Sequence, residues 1–184
     1  MRKQRMPYNS RVLVIIKLLF SIGAYAIAIC NYVFDIETTL LPKIIICICD
    51  VYFSQFIVCA IHELSHFVFF AINRNVVTMV RVGIFEVRLE DGKMQFIVEN
   101  TSLFSGCCIA KKNTSCYGTI VALYAGGISG ILMAAIFLFR VTTVLPTIKF
   151  LEVCILLIAG LSGFFSVFYP KSADRKQITK IREE

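Results

Sequence analysis

Four apolar runs, each longer than a bilayer is thick when wound into a helix, constrain this chain more than any other feature. They occupy residues 12–34, 44–72, 117–139 and 150–168. An α-helix rises about 1.5 Å per residue, so roughly 18 to 20 apolar residues cross about 30 Å of hydrocarbon. With 58% of 184 residues hydrophobic and only 17% charged, one small aqueous core has no room for so much apolar side chain. The expected solvent is lipid. The basic stretch Met1-Arg2-Lys3-Gln4-Arg5 precedes the first run as it would in a secretion signal. That run is too long for a signal's apolar region, however, and no small-residue cleavage site follows Phe34. It reads as a true span, interrupted by Lys17.

Four spans put the start of the chain, the segment between the second and third spans, and the end of the chain on one side of the membrane. That side holds nearly all the basic residues, among them Arg11, Arg74, Arg81, Arg88, Lys93, Lys171 and Lys176. The opposite side holds only Lys43, Arg140 and Lys149. By the positive-inside rule the basic side is cytoplasmic, which predicts a multi-pass cell-membrane protein with both termini in the cytoplasm. The net charge of +7 then needs no nucleic acid to explain it. Of the eight cysteines, Cys30, Cys47, Cys49, Cys59 and Cys154 lie in apolar runs and act as small hydrophobes. Cys107, Cys108 and Cys116 fall in the segment read as cytoplasmic, where thiols stay reduced, and no CxxC pair marks a cysteine metal site.

The chemistry is concentrated in the second run, which reads His62-Glu63-Leu64-Ser65-His66 and holds the only two histidines of the chain. Residues four apart on a helix share a face, so both imidazoles can reach one tetrahedral zinc ion. Glu63 is about 100° further round, off the metal but near water activated at it, where a general base belongs. The plain alternative is a pair of polar side chains satisfied by hydrogen bonds inside a bundle. Ionisable groups cost several kcal/mol to insert into lipid, which favours the functional reading. A catalytic zinc takes three protein ligands, so one more is needed. Asp50 is twelve residues before His62, about 18 Å along the same helix, and is out of reach. Glu152 lies at the far end of the fourth span. The second and fourth spans run in the same direction, and Asp174 follows the fourth just after Pro170, where it is able to fold back to the metal. Its plain alternative is an ordinary charge in a basic tail.

HELSH on a membrane helix, AGGISG in the third span and YPKSAD after the fourth together resemble the site-2 protease family, over roughly residues 44–178. The resemblance implies a three-helix core holding Zn2+ through His62, His66 and Asp174, with Glu63 as catalytic base, near the cytoplasmic face. It also implies an intramembrane metalloprotease acting on a membrane-tethered protein or a hydrophobic peptide. Two positions depart from the family. Gly130 stands where members commonly carry asparagine, and Arg175 follows the aspartate where they usually carry glycine.

The expected fold class is an all-α membrane protein. It has four transmembrane helices in a single membrane-embedded domain, with a small cytoplasmic β-hairpin at about residues 84–99 between the second and third. The hairpin is read from alternating Phe85, Val87, Leu89 and Met94, Phe96, Val98 around Asp91-Gly92, which suits a type I′ turn. It is expected to cover the mouth of the bundle or, more sharply, to offer its edge to an extended substrate strand. Gly126, Gly127 and Gly130 are expected to let helices approach closely or to leave room for substrate backbone. Two rival functions stand beside it: a catalytically impaired membrane binding protein of the same fold, motivated by Gly130 and Arg175, and a metal-ion transporter. The intact Glu63 argues against the first, and the confinement of histidine to one helical turn argues against the second.

Overall fold

The computed structural model describes residues 8–90, 93–111, 116–143 and 149–183. Helix α1 (Tyr8–Phe34) is followed by α2 (Leu40–Ile72), strands β1 (Val76–Val82), β2 (Phe85–Glu90), β3 (Lys93–Val98) and β4 (Gly106–Lys111), then α3 (Cys116–Thr143), α4 (Phe150–Phe168) and α5 (Ala173–Glu183). The first four helices are long and apolar enough to cross a membrane. Each long helix contains one of the four apolar runs, and α1, α2 and α3 extend past theirs. In α2 the extension includes Pro42 in the first turn, where its missing N–H breaks no helical bond.

Large side chains such as Leu19, Phe34 and Ile136 stand exposed on the outside, while Ser21, Asp50, Ser54, Glu63, His66 and Glu152 are buried. An apolar exterior around polar buried groups is the arrangement lipid favours. Three apolar clusters hold the helices together. Ala24 and Ala28 of α1 pack on Cys49 and Tyr52 of α2. Val58 meets Met133, Leu151, Ile155 and Ala159 where α2, α3 and α4 converge. Phe70, Val77, Ala122, Leu123 and Ile178 join α2, β1, α3 and α5. Between α3 and α4 the backbones nearly touch, since a Cβ on Gly163 would stand 2.7 Å from the Gly127 carbonyl oxygen.

The all-α description needs correction: the segment after α2 forms a four-stranded antiparallel sheet in the order β3-β2-β1-β4, not a lone hairpin. Leu89 pairs with Met94 and Val87 with Phe96 in β2 and β3, while the Asp91-Gly92 turn lies outside the described residues. The strands missed in the sequence, β1 (VVTMVRV) and β4 (GCCIAK), are partly buried along most of their length and show no clean alternation of apolar and polar residues. Met94 and Phe96 are 75% and 66% exposed, so these hairpin residues do not close over the bundle. Instead the sheet lies alongside α2. Val77 packs with Phe70, Gly106 abuts Glu63, and the Phe85 ring stands 6.1 Å from that of Phe56. The loop between β3 and β4 is tied to α1 by Lys17, whose Nζ donates to Asn100 Oδ1 at 2.7 Å and to the Thr101 carbonyl at 2.9 Å. The charge that interrupts the first apolar run therefore has partners.

Candidate metal centre

Helix α2 presents His62 and His66 on one face, and their Nε2 atoms stand 3.1 Å apart. Helix α5 brings the third group. The chain turns back after α4 through Tyr169-Pro170-Lys171-Ser172, where the Ser172 N–H donates to the Tyr169 carbonyl and its hydroxyl to the Ser166 carbonyl. Asp174 then falls in the first turn of α5, a position that favours a carboxylate through the helix dipole. Its Oδ2 lies 3.4 Å from His62 Nε2 and its Oδ1 3.6 Å from His66 Nε2. Among the described residues these three side chains form a converging group of metal-ligand atoms, all within 4.8 Å of one another.

The spacing fits a small tetrahedral ion. Donors about 2.0–2.1 Å from such an ion lie about 3.3–3.4 Å apart, close to each of the three separations found here. The proton inventory points the same way. His66 Nδ1 donates to the Ala122 carbonyl at 2.8 Å, a bond that assigns its proton to Nδ1 and leaves a lone pair on Nε2. Two imidazole nitrogens facing each other at 3.1 Å need a shared proton or cation between them. The Asp174 carboxylate is itself oriented by Ser166, whose hydroxyl donates to Oδ2 at 2.6 Å. Burial tends to raise the Asp174 carboxyl, but the hydrogen bonds it accepts from His62 and Ser166 hold it below the ordinary carboxylate range. It is an anionic donor ready for a cation.

Glu63 is next to the ligands but outside the donor group. It is 6% exposed, and no hydrogen-bond donor among the described residues engages its carboxylate. It borders a cavity of about 220 Å³ with His62, His66, Gly106, Cys107, Cys108 and Asp174. The Cys108 thiol is pushed up to about 12 by burial and by the Glu63 carboxylate, so it stays protonated.

Of the residues that shape this site, Gly126, Gly127 and Gly130 stand out in the sequence, whereas Gly106, Ser166 and Ala122 do not. A Cβ at Gly126 would stand 2.5 Å from His66 Nε2, so this glycine clears the metal site. Gly127 and Gly130 serve helix approach: a Cβ on Gly130 would meet the Ala159 carbonyl and the Gly163 backbone of α4 at 3.0 Å. A side chain at 130 would therefore run into α4. A Cβ on Gly106 would crowd the Glu63 side chain and the Cys59 thiol. Ser166 and the Ala122 carbonyl carry no motif at all. Arg175 lies in the first turn of a regular helix, a backbone that does not require glycine, and its side chain is outside the described residues. Asp50 and Glu152 are buried elsewhere and do not join the site. No protein-family description, curated protein or solved structure matches the chain.

Proposed function

We propose that this chain is an intramembrane zinc metalloprotease that hydrolyses a peptide bond in a membrane-tethered protein or a hydrophobic peptide. One observation carries the reading: two imidazoles from α2 and a carboxylate from α5 converge at tetrahedral spacing beside a buried glutamate that has no hydrogen-bond donor among the described residues. Two histidines and one carboxylate, with the fourth position open, are a donor set that catalytic zinc uses.

Bound there, zinc would supply Lewis acidity to the scissile carbonyl and to the attacking water. Glu63 takes the proton from that water as its oxygen bonds to the carbonyl carbon, and returns it to the nitrogen as the C–N bond breaks. Ala122 holds His66 in the tautomer that offers Nε2, and Ser166 holds Asp174 in register. The free sheet edge beside Glu63 is β4, not β3 of the hairpin, so an extended substrate strand would add at Gly106–Lys111. A helical substrate must unwind first, because helical hydrogen bonding shields its carbonyls. The excess of basic residues on one side of the four spans supports a cytoplasmic position for this end of the bundle.

The test is metal content and membrane cleavage on the same purified protein. Wild type is expected to hold one zinc per chain and to process a single-span substrate, and His62→Ala to lose both. Stoichiometric zinc absent from wild type, or cleavage by His62→Ala at the wild-type rate, overturns the reading.

A further inference from the structure

A second cavity, of about 700 Å³, lies at the turn between α1 and α2, away from the metal centre. Asp50 lines it from mid-helix, about 18 Å along α2 from His62. This carboxylate is 1% exposed. Its Oδ2 accepts a hydrogen bond from Asn31 Nδ2 at 3.3 Å, and its Oδ1 is buried with no partner among the described residues. A half-satisfied carboxylate buried inside a membrane helix is costly unless something positive meets it.

Two lysines, Lys43 and Lys149, line the same cavity, but neither pairs with Asp50. Lys149 is engaged elsewhere, its Nζ donating to the Tyr32 carbonyl and standing 4.6 Å over the Tyr32 ring. Lys43 is two turns earlier on α2, about 10 Å along the axis, and forms no ion pair with Asp50. Two further carboxylates, Asp35 and Glu37, line the same cavity and are exposed. The three acids do not converge as metal donors do; among the described residues that convergence belongs to His62, His66 and Asp174. Carboxylates spread along a cavity also walled by Ile36, Ile46 and Phe150 suit an elongated organic cation better than a metal ion. The volume is in the range of small-molecule sites.

We propose that this cavity binds a protonated aliphatic amine, with one ammonium on Asp50, the methylene chain along Ile46 and Phe150, and a second positive group, where present, at Asp35 and Glu37. The site is independent of the protease reading.

The full chain in lipid nanodiscs, titrated calorimetrically with 1,4-diaminobutane, tests it. The expected result is saturable one-to-one binding that 1,4-butanediol does not reproduce. Asp50→Asn, nearly isosteric, should weaken it at least ten-fold, and Glu37→Gln, on the exposed rim, about two- to five-fold. Zinc content and thermal melting of each variant report whether it is folded. No saturable binding, equal binding of the diol, displacement by equimolar Mg2+, or unchanged affinity in a folded Asp50→Asn protein overturns the proposal. Should Asp50→Asn fail to fold, unchanged affinity in Glu37→Gln overturns it alone.

Discussion

Two buried glutamates at different places in the bundle differ in what surrounds them. Glu152 is 4% exposed and is engaged: Oε1 accepts from the Tyr32 hydroxyl at 3.0 Å and from Arg140 Nε at 2.9 Å, tying α1, α3 and α4 together. Glu63 is 6% exposed and has no donor among the described residues, while two imidazoles, a carboxylate and a cavity lie beside it. Burial is nearly the same, so burial does not separate a structural acid from a reactive one. The hydrogen-bond partners do. A carboxylate already holding two donors is committed to the bundle, whereas one held only by its position is available to a water beside the metal donors.

The sharpest break of this comparison is Glu63→Gln. In the proposed reaction it removes proton transfer and nothing else, so cleavage should fall by about 10²–10⁴-fold with zinc content unchanged. Single-turnover cleavage and metal analysis on one preparation check it. Loss of zinc in that variant would mean Glu63 is a ligand, and unchanged cleavage would leave it no more reactive than Glu152.

A smaller effect is expected at Ser166. Its hydroxyl is 2.6 Å from Asp174 Oδ2 and has no other evident task than orienting that carboxylate. Groups that orient metal ligands typically contribute 10- to 100-fold in affinity, so Ser166→Ala should weaken zinc binding by about that factor. Competition with a chelator of known affinity measures it. Ser166→Thr, which keeps the hydroxyl, should recover most of the loss.

These two residues also mark where the sequence stops being legible. His62, Glu63 and His66 were readable because the 3.6-residue helical period alone puts them together. Asp174 was readable because α2 and α4 run the same way, which returns the chain to the same end of the bundle. Ser166 and the Ala122 carbonyl were not, since their facing the site depends on how α3 and α4 are rotated about their axes. Three glycines within five residues, Gly126, Gly127 and Gly130, turn out to have two roles, one clearing the imidazoles and two admitting α4. The sheet was only half readable: β2 and β3 alternate apolar with polar residues around a turn signal, even though Met94 and Phe96 are exposed and Glu86 is buried, whereas β1 and β4 are partly buried and read as plain apolar or small-residue stretches.

The smallest effect tests the other half of the comparison. Glu152→Gln keeps an oxygen able to accept one hydrogen bond but loses the charge that Arg140 and Tyr32 share. Arg140 is well exposed, so part of the attraction is already screened by solvent. The expected loss is about 1–2 kcal/mol, the difference between a charged and a neutral acceptor. That corresponds to roughly a five- to thirty-fold shift of the unfolding equilibrium, readable as displaced denaturant midpoints in mixed micelles. The remaining folded protein should hold zinc and cleave at the wild-type rate, because Glu152 touches none of the reacting groups. A folded, zinc-loaded Glu152→Gln protein without cleavage would show that the two acids are coupled through α2 and α4, and the separation between a structural and a reactive glutamate would fail.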